Sequence, residues 1–212
     1  MNTPLRQPGF HLRRSKSKLI LAAMKIPSAL SAPVAFCALL LLGTSHGLAA
    51  GDAAPVTAAI AVILPTTGNE TAGIVTFTAT DGGVKVIADV TGLTPGKHGF
   101  HIHEFGDISD SAKAMSTGGH YDPAGTHHHM LVDAGGPDAM PHHAGDMGNL
   151  VADSAGKAHL EITLQGVSLM GPANPLVGRA VIIHANSDDG GQPVGNAGGR
   201  VGQGVIGIAK AK

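Results

Sequence analysis

From about residue 54 onward, apolar and polar positions alternate in short runs separated by turn-forming residues. The runs fall near 54–64, 72–80, 83–91, 97–105, 149–153, 158–164, 178–185 and 200–208. They are rich in Val, Ile, Ala and Thr, and signals such as "TGNE", "DGG", "LTPGK" and "DSAGK" stand between them. A period of two marks a strand with one buried face, and several such runs at regular spacing mark an all-β sandwich or barrel. No long run has helical periodicity. The pattern predicts an all-β fold, a Greek-key β-barrel or sandwich.

Two stretches break this rhythm. Residues 106–148 carry most of the histidines that follow residue 54 and little strand character, and residues 186–199, "NSDDGGQPVGNAGG", are rich in Gly, Asp and Asn. Loops of that length in a compact β domain are functional or disordered. The segment entering the first of them is "HGFHIHEFGD", residues 98–107. In an extended segment His101 and His103 share a face, with Phe100, Ile102 and Glu104 on the other. Paired imidazoles are costly to bury uncompensated, and a metal cation resolves that cost by binding them in the neutral form. An exposed pair on an edge strand is the competing reading of that motif taken alone.

The first fifty residues differ from the rest. Arg6, Arg13, Arg14, Lys16, Lys18 and Lys25 are basic, and no acid precedes Asp52. The apolar run "VAFCALLLLG" (34–43) follows, and then small residues up to Ala49 and Ala50. Basic, apolar and small zones in that order predict a secretory signal peptide over 1–50, with Met24 as an alternative start. An uncleaved N-terminal anchor is the rival reading, against which the apolar run is short for a membrane span. Residues 51–212 are then a single exported domain, periplasmic or extracellular, with no stable membrane association after cleavage. Without the leader's six cations, 8 Lys and Arg face 15 Asp and Glu, a net charge of −7 with histidine neutral. Such a balance argues against nucleic acid as a partner. The only cysteine, Cys37, goes with the leader, so the exported chain has neither disulfide nor thiolate chemistry.

The remaining candidates assemble into a pattern. His120 lies in "GGHYDP", His127, His128 and His129 form "THHHM", His142, His143 and Asp146 lie in "PHHAGD", and His184 ends "AVIIH". His101, His103 and His184 on rigid strands make an imidazole set suited to copper or zinc, with Cu²⁺ favoured by the Irving–Williams order. Histidines with one Asp make a plausible closed zinc set, and His143 and Asp146 at i and i+3 reach one ion from a single turn. Five stretches in order, "GLTPGKHGFHIHEFGD", "GGHYDP", "HAGDMGN", "VIIHANSDD" and "GNAGGRVGQGVIGIA", together resemble the copper/zinc superoxide dismutase family over about residues 57–209. The resemblance implies a Greek-key barrel with copper and zinc held outside it by two long loops, and dismutation of superoxide to oxygen and hydrogen peroxide. It implies that His101, His103, His120 and His184 bind copper and that His120 bridges to zinc. It implies zinc ligation by His120, His143, Asp146 and one histidine of "THHHM", with His129 preferred over His128. Asp188 matches the acid that hydrogen-bonds to ligands of both metals, and Arg200 the arginine beside the open copper position, where it would hold superoxide. The resemblance also admits a homodimer.

The chain departs from the family pattern in three places. The family's disulfide positions are occupied by Ala114 and Gln203, the loop between Asp188 and Arg200 is short and has no lysine, and "MLVDAGGPDAMP" lengthens the zinc loop. Zinc and packing are therefore expected to hold the first loop. His98 is expected to be structural, His127, His142 and His159 solvated or supporting, and Tyr121 a packing residue. A non-catalytic copper-binding or copper-buffering protein is the alternative function. It has no need of Arg200 or of a bridging histidine with a zinc set.

Overall fold

The structure is a computed structural model that describes residues 54–126 and 142–210. The expected leader and the candidates His127, His128 and His129 lie outside the described residues. Among the described residues, nine strands run in chain order: β1 Ala58–Pro65, β2 Ala72–Thr80, β3 Gly83–Thr91, β4 Gly96–His103, β5 Asp146–Ala152, β6 Ala158–Gln165, β7 Ala180–His184, β8 Arg200–Val205 and β9 Gly207–Ile208. Their order in the sheet is β5-β4-β7-β8-β1-β2-β3-β6, with β9 added on β1. Every pairing between strands is antiparallel. The result is a nearly closed eight-strand barrel, as the period-two pattern predicts.

Strand burial explains where the site lies. On β6, Ala158, Leu160, Ile162 and Leu164 are buried and the residues between them exposed, so one face meets the core and the other meets water. β2 and β3 bury one face in the same way through Val75, Phe77, Val84, Val86 and Val90. β7 differs, because all five of its residues are buried. Its Val181 and Ile183 face the core, whereas Ile182 and Ala180 form a separate cluster with Ala114 of the first long loop. The loops therefore cover the barrel's outer surface over β4 and β7, and buried polar side chains on that outer face have protein on both sides.

Two bulges tune the register there. One lies between Gly99 and His101 and sets His101 opposite Asp146 of β5. The other lies between Ile183 and His184 and sets His184 opposite Arg200 of β8. A bulge shifts facing by one residue and re-aims the side chains beyond it. Strand β5 begins at Asp146 rather than near residue 149, so Asp146 opens a strand instead of closing a loop.

Candidate metal centre

β4 delivers His101 and His103 to the outer face, because their cross-strand partners Ile182 and Ala180 lie there while Phe100 and Ile102 face the core. β7 delivers His184 at its last residue. The first loop returns beside β4 through a bridge between His103 and His120. The four rings cluster tightly: the His101 ring centre lies 4.0 Å from that of His120 and 5.0 Å from that of His184, and His103 lies 5.1 Å from His120. Each offers a nitrogen within 4.8 Å of the others.

The hydrogen bonds select which nitrogen each ring presents. His103 Nδ1 donates to the Gly118 carbonyl at 3.0 Å and His184 Nδ1 to the Gly198 carbonyl at 3.2 Å. His101 Nε2 donates to Asp188 Oδ2 at 2.7 Å. A ring that donates from one nitrogen offers the lone pair of the other. His103 Nε2 and His184 Nε2 are buried with no hydrogen-bond partner among the described residues. An unmade bond at a buried acceptor costs about 1–3 kcal/mol, which a metal ion in the cluster would offset at both atoms. Burial pushes the pKa of His101 down to about 4, against the raising effect of Asp188, and that of His184 down to about 3. Burial also holds His103 well below the ordinary histidine range, with the Arg200 charge adding to the effect. All three are neutral near pH 7, the form that ligates a metal.

A second set shares His120. The segment His143–Asp146 closes a turn in which the Asp146 amide donates to the His143 carbonyl and the His143 amide donates to Asp146 Oδ2, both at 3.0 Å. Gly145 makes this turn possible: a Cβ there would collide with the Ile102 carbonyl of β4. Asp146 Oδ1 lies 2.9 Å from His120 Nδ1 and 3.3 Å from His143 Nδ1, and the two nitrogens are 3.3 Å apart. Ligand atoms about 2.0–2.1 Å from a tetrahedral zinc stand roughly 3.3 Å from one another. The triangle therefore has the dimensions of one face of a zinc site. His120 belongs to both sets.

The supporting residues are equally ordered. Asp188 is almost fully buried, and its backbone is held on both sides by Asn149, whose Oδ1 accepts from the Asp188 amide at 2.8 Å and whose Nδ2 donates to the Asp188 carbonyl at 3.0 Å. The link from Asp188 to a zinc histidine of "THHHM" would fall on undescribed residues. His98 is structural as expected, with Nδ1 on the His184 carbonyl at 2.7 Å and Nε2 on the Thr94 carbonyl at 2.8 Å. Tyr121 is buried, and the Arg179 guanidinium covers its ring at 4.2 Å.

A cleft of about 490 Å³ opens onto His103, His120 and His184, with Arg200 on its wall. Burial lowers the Arg200 pKa from its ordinary value, but a guanidinium that starts above 12 stays charged at neutral pH. Lys113 also lines this cleft. Inspection of the loop before Arg200 misses it, because this cation comes from the other loop. Its place beside Ala114, which the resemblance matches to a disulfide position, is the signal that would have located it.

Fold and site together define a metalloprotein class: an antiparallel Greek-key barrel carrying an imidazole cluster and a histidine–aspartate cluster joined by one histidine. The family model "Copper/zinc superoxide dismutase (SODC)" matches residues 71–206. A Superoxide dismutase [Cu-Zn] of Paramecium bursaria Chlorella virus 1 is 42% identical over 146 residues, which cover 65% of this chain and 73% of that protein. The crystal structure of the clock protein EA4 is similar at 39% identity with a TM-score of 0.62, over 73% of this chain and 97% of that one. The chain belongs to the copper/zinc superoxide dismutase family, whose cofactors are copper and zinc.

Proposed function

We propose that the protein dismutes superoxide, with His101, His103, His120 and His184 holding copper, and His120, His143, Asp146 and His129 holding zinc. Copper in such a site supplies a one-electron couple that can accept an electron from one superoxide and give it to another, and zinc supplies a fixed charge that orders the loop. Two superoxide anions and two protons yield one oxygen and one hydrogen peroxide. Arg200 provides the positive donor fork for the anion at the mouth of the imidazole cluster. Lys113 adds a second charge that draws anions toward the cleft. His120, on the wall of the cleft, holds and returns a proton there, and water supplies the other.

One observation carries this reading over that of a copper buffer: a fixed guanidinium shares the cleft with the imidazole cluster. A buffer gains nothing from an anion-binding charge beside its metal. The test is metal analysis combined with superoxide decay, followed by pulse radiolysis on the mature protein. Copper and zinc bound with rapid decay is the expected result. Copper bound without turnover would establish the buffer instead. The order of basic, apolar and small residues before Gly51 supports export to the periplasm or the extracellular space. Sedimentation of the mature chain tests for a homodimer.

A further inference from the structure

We propose that Gln203 is a positioning residue for Arg200, a polar tether from β8 to the first loop. The inference rests on the reading of Arg200 as the anion-holding group. The Arg200 guanidinium makes its described hydrogen bonds to the first loop: Nη1 donates to the Ala114 carbonyl at 2.6 Å and to Thr117 Oγ1 at 2.9 Å, and Nη2 donates to the Gly118 carbonyl at 2.8 Å. The Gly118 carbonyl also orients His103. The direction of the guanidinium is therefore set by where this loop sits.

What fixes the loop is traceable bond by bond. Asp110 gathers it: Oδ1 accepts from the amides of Ala112 and Lys113, both at 3.1 Å, and Oδ2 from that of Met115 at 3.0 Å. The Asp110 carbonyl accepts from the Ala114 amide at 2.8 Å and from Gln203 Nε2 at 3.3 Å. Ala114 is fully buried and left-handed, with φ 55°. An alanine takes that conformation only when its surroundings impose it, and here it accompanies the carbonyl bonded to Arg200. The bulge at β7–β8 completes the device. Arg200 and Gln203 are three apart and would face opposite ways on a regular strand, but opposite His184 and Ile182 they share the outer face. One strand thus grips one loop at two points.

The amide of Gln203 is costly to bury. The residue is 2% exposed, and its Oε1 has no hydrogen-bond partner among the described residues. An apolar side chain of similar length would avoid that cost, so the donor Nε2 is the part of the residue that needs a role. A tether that favours geometry at the expense of stability has the signature of a functional site.

The test is a double-mutant cycle on copper-matched protein, using Gln203→Met and Gln203→Leu with and without Arg200→Ala. Each Gln203 variant should keep or raise the melting temperature and lower superoxide turnover by about 3- to 10-fold, the effect of one lost hydrogen bond. With Arg200→Ala present, the same change should alter turnover less than about 1.5-fold, because coupled residues are non-additive. An equal loss in both backgrounds, or no loss in the first, overturns the tether. Wild-type protein that binds copper without turnover would refute the dismutase reading instead. The same cycle is then read from azide affinity at the copper, where the same non-additivity is expected and additivity would again overturn the proposal.

Discussion

Replacing Asp188 with asparagine should weaken copper binding about 10- to 100-fold while leaving the fold intact. Among the described residues the wild-type carboxylate accepts through Oδ2 from His101 Nε2 at 2.7 Å and through Oδ1 from the Gly190 amide at 2.9 Å. Asparagine keeps one oxygen and turns the other into a donor. The Gly190 amide cannot reverse its role, so the oxygen stays there and the new NH₂ group faces His101. That favours the tautomer with the proton on Nδ1, the nitrogen His101 would offer to copper. Binding copper then requires moving that proton and leaves two donors facing each other. The loss is one charge-assisted bond, about 1.5–3 kcal/mol, and each 1.4 kcal/mol is a factor of about ten. Outer partners of metal-bound histidines show effects of about 10- to 100-fold when removed. Asn149 grips the Asp188 backbone on both sides, so the substitution isolates the side chain. Copper affinity by chelator competition, with circular dichroism as a control for fold, measures it. An Asp188→Asn protein that binds copper as tightly as wild type would refute the assignment of His101 to the copper set through Nδ1.

Further outcomes follow from the same geometry. Arg200→Glu should lower turnover at least about 10-fold with copper retained, and Arg200→Lys less, because a lysine keeps the charge but not the fork; pulse radiolysis at matched copper content checks both. Lys113→Ala should cost about two- to threefold at low salt and nothing near 1 M, where the screening length shrinks from ~10 Å to ~3 Å; decay rates across ionic strength decide. Asp146→Ala should abolish zinc binding and lower the melting temperature by roughly 6–20 °C, from a buried-partner loss of about 3–5 kcal/mol at roughly 2–4 °C per kcal/mol; equal melting of variant and wild type would remove zinc as the loop's anchor. N-terminal sequencing of the exported protein should begin near Gly51, and recovery of Cys37 in it would overturn the cleaved leader.

The fold was legible where burial is one-sided. On β2, β3 and β6 water meets one face, so apolar residues alternate and the strand bounds agree closely with the expected runs. Legibility fails where both faces are covered. Six of the seven residues of β5 are buried, so its sequence does not alternate, and its first turn of chain, with Asp146, reads as loop. The two bulges leave no mark in the sequence. They nevertheless decide that Asp146 stands opposite His101 and that Arg200 stands opposite His184. The separate origin of Lys113 is hidden for a related reason, since a cleft built from two loops gathers residues far apart in the chain.

The two metal sets also differ in how they could be read. His101, His103 and His184 sit on strands whose inner faces are fixed by Phe100, Ile102, Val181 and Ile183, and parity alone places the imidazoles on the outer face. That placement needs no knowledge of the loops. The set of His120, His143 and Asp146 depends on loop backbone instead: a bridge to His103, a turn closed by two reciprocal hydrogen bonds, and a glycine pressed against β4. These features are specified by close approach rather than by periodicity, so only spacing and resemblance pointed to them. The difference has a physical consequence. The imidazoles of His101, His103 and His184 are held by the barrel core before any ion binds, whereas the set of His120, His143 and Asp146 is held by the segment it orders. Among the described residues His120 alone belongs to both sets, so loss of zinc should reach copper through it.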